Sequence, residues 1–84
     1  MGNAYITFRS VTHAQRGEGI LRGAGIRCAM QRTPRWMEEQ GCGYCLRVRS
    51  DDISSALRLL RAAQVPFRKV YVQDHGDDVV EVHL

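Results

Sequence analysis

The chain has 84 residues, 44% of them hydrophobic and 25% charged, so residues 1–84 have the size and composition of one small globular domain and are too short for a multidomain enzyme. Its formal net charge is +3, and 11 of its 12 basic residues are arginine, which is compatible with nucleic acid as a partner without establishing it. No apolar run approaches the roughly 20 residues of a membrane span and no signal peptide is visible, so we expect a cytoplasmic protein.

The first half of the chain predicts a strand, a helix and a second strand. Residues 4–8 are short, β-branched and aromatic, as in a strand. Ser10 or Thr12 would cap the helix at 13–23, and the glycines at its end would terminate it. Two further glycines inside the helix weaken it unless they let another backbone approach closely. Residues 26–31 alternate again and predict the second strand.

The second half repeats this order after a long loop. Residues 32–44, RTPRWMEEQGCGY, predict a loop of a length that is usually functional in so small a domain. Residues 45–49 alternate strictly as a strand, and a Ser-Asp-Asp cap precedes an apolar stripe at helical spacing over 53–63. Strands are predicted at 67–73 and, after the turn DHGDD, as a short addition at 79–82.

The two halves also share short sequence matches. The triplet at Phe8 matches the triplet at Val48, and LRGA at Leu21 matches LRAA at Leu60, an offset of about 40 residues. Two split βαβ units predict an α+β fold, a ferredoxin-like βαββαβ sandwich. A four-stranded antiparallel sheet would carry both helices on one face, with an additional C-terminal strand. The other face would be open, or covered by the C-terminal tail or by a partner.

The open face of this sheet carries a mixture of arginine and aromatic side chains. The alternation of the strands places eight residues there: Tyr5, Thr7, Arg27, Cys45, Arg47, Arg49, Lys69 and Tyr71. Aromatic and arginine side chains on a four-stranded sheet are typical of domains that stack RNA bases. However, the third strand of such domains carries aromatic residues, and here it reads Cys-Leu-Arg-Val-Arg. RNA binding is therefore disfavoured relative to a solvated face or a dimer interface.

Cys42 and Cys45 form a CxxC pair with several interpretations. Such a pair can be a redox couple, half of a metal site or a chance occurrence. A thioredoxin-like couple starts a helix, whereas this pair leads into a strand. A zinc site requires four ligands, and no second pair with suitable spacing exists, so an intramolecular site is disfavoured and we expect no bound metal. A metal shared across a dimer stays open.

A single reactive thiol at Cys42 is a further interpretation. Cys42 lies between Gly41 and Gly43, which allow close approach to its sulfur, and nearby arginines, among them Arg35 and Arg47, would stabilise a thiolate. An unreactive loop cysteine is the simpler alternative. Cys28 is expected to be a small core residue, because it alternates with the apolar side chains of its strand.

The sequence resembles a family described as "putative selenium/sulfur carrier protein-like". Matching stretches occur in the family's order: YITFRS, the helix ending in LRGAGI, the turn RTPR, then Gly-Cys-Gly followed by LRV, and finally ALRLLRAAQVPFRKVY. The resemblance covers residues 4–72 and leaves out the tail at 73–84. It implies a cytosolic, single-domain protein connected with selenium and sulfur trafficking.

The resemblance assigns the chalcogen to Cys42. At the position of Cys45 the family usually has a small or aliphatic residue, so Cys45 departs from the pattern and would act as a resolving thiol or complete half of a metal site. We therefore expect a carrier rather than an enzyme, with Gly41, Gly43, Arg35 and Arg47 around the thiol. Its partners would be donor and acceptor proteins, with no cofactor, no membrane partner and no nucleic acid. The alternative is an interaction module that binds a protein or RNA through the open face, and a homodimer is compatible with both.

Overall fold

The computed structural model describes residues 2–33, 43–73 and 79–82. Within them the chain forms two helices and five strands. In chain order these are β1 (Asn3–Phe8), α1 (Val11–Gly23), β2 (Cys28–Arg32), β3 (Tyr44–Arg49), a 3-10 turn (Ser50–Asp52), α2 (Ile53–Ala62), β4 (Val70–Gln73) and β5 (Val79–Val82).

The five strands form one antiparallel sheet in the order β2-β3-β1-β4-β5. β1 lies between β3 and β4, so Ile6 is opposite Leu46 on one side and Val70 on the other. This sheet and the two helices confirm the predicted α+β class. The additional C-terminal strand is confirmed as β5, which pairs with β4 at the edge and brings the sheet to five strands.

One face of the sheet packs against the helices and forms a hydrophobic core with them. Ile6, Phe8 and Leu46 are completely buried there, as their alternation in sequence predicts. Both helices add buried residues to the same cluster: Ala14 and Leu21 from α1, and Ala56, Leu57 and Leu60 from α2. The apolar stripe of α2 is therefore confirmed as its core-facing side.

Gly17 marks the point where α1 lies closest to the core. A Cβ atom there would come within 3.2 Å of Leu60 Cδ2 and within 3.3 Å of both Leu46 Cδ1 and Phe8 Cζ. A glycine therefore lets α1 approach the sheet and α2 more closely than an alanine would. Gly19, by contrast, has nothing within 4 Å of such a Cβ atom among the described residues.

Both helices end in the same hydrogen-bonded motif, at the positions where LRGA and LRAA match. In α1 the N–H of Ile26 donates to Leu21 O and that of Gly25 to Arg22 O, with Gly25 at φ 83°. After α2 the corresponding pair is Val65 to Leu60 O and Gln64 to Arg61 O, with Gln64 at φ 58°. These bonds satisfy carbonyl groups at the end of each helix.

The two helices begin differently. Ser10 caps α1, because its Oγ accepts the N–H of His13 at 3.2 Å, which decides between the two predicted caps. The predicted side-chain cap of α2 by Ser50, Asp51 and Asp52 does not form. These residues make the 3-10 turn, and Asp52, which precedes the helix, makes no side-chain capping bond. The carboxylates of Asp51 and Asp52 still lie at the positive end of the helix dipole.

Several predicted boundaries also move. β2 begins at Cys28 instead of residue 26, because the Ile26 N–H is used to end α1. β4 begins at Val70 instead of residue 67, because Arg68 and Lys69 both bond to Thr7 and interrupt the regular ladder. Arg32 and Tyr44, the first and last residues of the predicted loop, belong instead to β2 and β3, where they pair with each other.

Candidate functional site

The predicted site is only partly within the described residues. Arg35, Gly41 and Cys42 lie outside them, so their predicted roles stay predictions. Gly43 is described, and its carbonyl oxygen accepts the Thr33 N–H at 3.1 Å. This bond follows the pairing of Arg32 with Tyr44 and so extends the β2–β3 ladder by one step toward the connection that contains Cys42.

Cys45 lies on the sheet face away from the hydrophobic core. It is opposite Thr7 on β1 and Gln31 on β2, as the alternation of β3 predicts. However, the expectation that this part of the face is open is wrong, because Cys45 is 0% exposed. Burial removes the thiol from water, which disfavours the charged thiolate.

The surroundings of Cys45 keep its thiol protonated. Burial raises its pKa, and the side chains of Thr33 and Gln31 and the charge of Arg47 only partly offset that rise. Thr33 Oγ1 is itself buried and has no hydrogen-bond partner of ordinary geometry within the described ranges. Its effect on the thiol is therefore better understood as a dipole nearby than as a full hydrogen bond. A protonated thiol is a poor nucleophile.

Thr7, opposite Cys45 on β1, is a buried polar residue that the sequence placed on this face without a role. Only 2% of it is exposed, and its Oγ1 accepts the Lys69 N–H at 2.9 Å and donates to Lys69 O at 3.3 Å. The hydroxyl thus replaces a regular ladder partner at the start of β4. Alternation placed Thr7 on this face, but no sequence signal indicated its burial.

The aromatic residues of this face are not arranged as an open stacking platform. Tyr71 is 9% exposed, and Tyr5 is half-buried and donates its hydroxyl to Gln73 Oε1 at 3.3 Å. The two tyrosines are directly opposite each other on β4 and β1. Base stacking requires an accessible ring face. The predicted resemblance of this face to an RNA-stacking sheet is therefore weakened.

Cys28 lies on the opposite face of the sheet, as expected, where it is half-buried and packs against the hydrophobic core. Its Sγ is 3.8 Å from Glu18 O, toward which it donates. Burial raises its pKa, Arg22 lowers it and the charge of Glu18 raises it again. Neither described cysteine therefore combines exposure with a lowered pKa.

The sheet face that carries Cys45 has an exposed part, which is an arginine cluster. Arg27, Arg47 and Arg49 are exposed and line a depression of about 460 Å³ together with Asn3. The register places Arg49 opposite Asn3, and Arg47 opposite Tyr5. None of the three arginines forms an ion pair with another residue that the structure describes. This corner of the sheet is therefore positively charged.

Among residues 2–33, 43–73 and 79–82, no three histidine, cysteine or carboxylate side chains come together as metal ligands would. The described helices include none with both the length and the apolar composition that crossing a membrane requires.

The comparison with protein families decides where the chain belongs. The model of the family described as "Putative Se/S carrier protein-like" matches residues 3–72, well over half of the sequence. The chain belongs to this family. The match begins at the first residue of β1 and ends within β4, so it includes both helices and the Cys42–Cys45 pair but not β5. No curated protein and no solved structure matched the chain.

Proposed function

We propose that this family member carries sulfur or selenium as a persulfide or selenosulfide on Cys42. The match over residues 3–72 carries the proposal, because the family's description names that cargo. The other two cysteines support the choice of Cys42 by contrast. Cys28 packs against the core and Cys45 is fully buried, and burial raises the pKa of both thiols.

The proposed loading step is a thiol exchange. The Cys42 thiolate attacks the terminal sulfur of a donor persulfide, R–S–SH. A new S–S bond forms on Cys42, and the donor thiolate R–S⁻ leaves with the electron pair of the broken bond. The terminal sulfur passes to an acceptor thiolate in the same way, which regenerates Cys42. A donor R–S–SeH would load selenium by the corresponding attack on selenium.

Cys45 would act as a slow resolving thiol. As a thiolate it would attack Cys42 Sγ in the loaded protein, form a Cys42–Cys45 disulfide and release HS⁻. An external dithiol reductant would then restore both thiols. The burial and raised pKa of Cys45 favour slow resolution, which would protect the loaded state while it waits for an acceptor.

Four neighbours complete the proposed site. Gly41 and Gly43 leave space around the Cys42 sulfur, and Arg35 and Arg47 stabilise its thiolate and the anionic cargo. Donor and acceptor proteins are the proposed partners, with cytoplasmic action as part of the same proposal. The order of β2, β3, β1 and β4 supports a ferredoxin-like arrangement, with β5 as an addition to it.

The test compares Cys42→Ser with a matched control, Cys28→Ser. Each protein is offered a small persulfide donor, and the gain of one sulfur is measured by intact mass with and without reductant. We expect Cys42→Ser to lose loading and Cys28→Ser to load like the wild type. Loading of Cys42→Ser at the wild-type level would contradict the assignment. In Cys45→Ser we expect the loaded state to persist longer.

A second candidate function is an interaction module that uses the arginine cluster. Three exposed arginines without ion pairs among the described residues favour it, since they would attract an acidic protein or RNA. Binding of an RNA pool that weakens with salt and is lost in Arg47→Ala/Arg49→Ala would support this function. Absence of binding at low salt would exclude RNA as the partner.

A further inference from the structure

Cys45 lies among polar side chains on the sheet face away from the hydrophobic core. The register places it opposite Gln31 on β2 and Thr7 on β1. Thr33 follows two residues after Gln31, on the same face, and its N–H donates to Gly43 O at 3.1 Å. Cross-strand neighbours that are displaced by two residues on one face remain within reach of each other. Thr33 is therefore a diagonal neighbour of the Cys45 thiol.

The Thr7 hydroxyl is already committed to Lys69. Its oxygen accepts the Lys69 N–H at 2.9 Å, and its proton is donated to Lys69 O at 3.3 Å. A threonine hydroxyl has a single proton, so this residue has no second hydrogen bond to donate. Although Thr7 is directly opposite Cys45, its hydroxyl therefore offers no donor to a thiolate there.

The Thr33 hydroxyl, by contrast, has a proton to donate. Its Oγ1 is buried and makes no hydrogen bond of ordinary geometry within the described ranges. A buried hydroxyl without a partner costs free energy, and such a group in a folded protein calls for an explanation. The Cys45 sulfur is only a weak acceptor as a thiol but a strong one as a thiolate. Burial raises the pKa of Cys45, and the Thr33 and Gln31 side chains lower it.

Few charged groups face Cys45 from the described strands. Arg47 is two residues along β3 on the same face, and Tyr5 is opposite Arg47 on β1. β2 contributes an alanine and Gln31 to this face, neither of which is charged. The carboxylate that the described strands place on this face, Glu81 of β5, is separated from β3 by β1 and β4. Stabilisation of a Cys45 thiolate therefore depends on neighbouring hydrogen-bond donors as well as on Arg47.

We propose that Thr33 is a positioning residue for Cys45, whose thiolate its hydroxyl stabilises by donating a hydrogen bond to the sulfur. Cys45 gives its proton to a base in solution, and the Thr33 O–H turns toward the charged sulfur. While Cys45 is protonated, the hydroxyl has no such partner, as the structure shows. Gln31, directly opposite, is a second donor. The consequence rests on the proposed function: Thr33 sets how fast Cys45 resolves a loaded Cys42.

The test follows the ionisation of Cys45 in the full chain by NMR. A background of Cys28→Ala/Cys42→Ala leaves Cys45 as the single cysteine, so a ¹³Cβ label on cysteine reports its titration from pH 7 to 11. Thr33→Val keeps the side-chain shape without the donor, and Thr33→Ser keeps the donor. Thr12→Val, at an exposed position of α1, is the control. We expect Thr33→Val to raise the midpoint by about one pH unit, because a hydrogen bond to a charged group is lost. Thr33→Ser and Thr12→Val should leave it unchanged.

A merely structural role for Thr33 would give different results. Since its Oγ1 has no partner among the described residues while Cys45 is protonated, Thr33→Val should unfold at the same urea concentration as the background at pH 7. A loss of stability there, or equal midpoints in Thr33→Val and the background, would overturn the proposal. So would an equal rise in Thr33→Ser, or a Cys45 signal that remains that of a thiol up to pH 11. The background lacks Cys42, so this test and the loading test can fail independently.

Discussion

The two faces of the sheet bury side chains of different chemistry. On the helix-covered face Ile6, Phe8 and Leu46 are completely buried, and they touch other apolar groups. On the other face Thr7 and Cys45 are buried just as deeply, although a hydroxyl and a thiol need compensation for the loss of water. The first face is stabilised by burial of apolar area, and the second by specific hydrogen bonds such as those between Thr7 and Lys69.

This difference separates the parts of the molecule that serve stability from those available to function. The helix-covered face leaves little room for chemistry, and its cysteine, Cys28, is a packing residue. The other face carries the buried Cys45 at one end of β3 and the exposed arginine cluster at the other. In the sequence, Cys42 lies shortly before β3, three residues from Cys45. Substitutions on the two faces should therefore differ in size and in their dependence on pH.

The largest expected effect belongs to the helix-covered face. Leu46→Ala removes a fully buried side chain from the hydrophobic core and should cost about 2–5 kcal/mol of unfolding free energy. Urea denaturation measures the loss. Val80→Ala on β5, which is 64% exposed, is the matched control and should change stability by less than about 0.5 kcal/mol. Equal losses in the two variants would contradict the assignment of this face as the core.

The next effect belongs to the polar network of the other face. Thr7→Val keeps the side-chain shape but leaves the Lys69 N–H without its 2.9 Å acceptor, which should cost about 1–3 kcal/mol. Thr12→Val, at an exposed position of α1, is the control and should be nearly neutral. A stability of Thr7→Val equal to that of the wild type would mean that Thr7 is held by packing alone.

A smaller effect is expected for Tyr5→Phe on the same face. The substitution removes the 3.3 Å hydrogen bond to Gln73 from a half-buried hydroxyl, so we expect a loss of about 0.5–1 kcal/mol. The control is Tyr44→Phe, because the Tyr44 hydroxyl donates no hydrogen bond to another described residue. If both variants lose the same stability, the bond across β1 and β4 contributes nothing measurable.

The last predicted effect concerns the ionisation of Cys45, which changes the free energy of unfolding only at high pH. Burial raises the pKa of Cys45 above its ordinary value of 9.0, so the folded chain holds this proton more tightly than the unfolded chain does. The associated stability is complete below about pH 9 and falls as the pH rises through the unfolded value toward the folded one. Urea midpoints from pH 7 to 10 should show a steeper decline in the wild type than in Cys45→Ala. Parallel curves would contradict the buried, protonated thiol.

Sequence patterns predicted the core face because it depends on local periodicity. The alternation of Ile6 with Phe8 and the helical spacing of Leu57 and Leu60 each imply one apolar side, and apolar sides must meet. The close approach at Gly17 was also accessible, since a glycine inside a helix is costly unless space requires it. The exact start of β4 was not accessible, because it depends on the Thr7 hydroxyl, which is distant in sequence.

The burial of the other face could not be predicted in the same way. Alternation places Cys45 and Tyr71 on that face correctly, but whether a position is covered depends on tertiary packing. The depression lined by Arg9 and Lys69 could not be predicted for a similar reason, since these two residues are 60 positions apart and β1–β4 pairing brings their segments together. The family resemblance was confirmed by the match over residues 3–72, whereas the role of Cys42 stays a prediction.

The most direct test of the account is a peptide-resolved mass spectrum of the loaded protein. The wild-type chain is offered a persulfide donor, alkylated under native conditions, and digested with and without reductant. The account predicts one additional sulfur on the Cys42 peptide, removed by reductant, with no additional sulfur on Cys28 or Cys45 and with the fully buried Cys45 alkylated only after unfolding. An additional sulfur on Cys28 or Cys45, or a Cys42 peptide that alkylates rapidly without ever gaining a chalcogen, would contradict it.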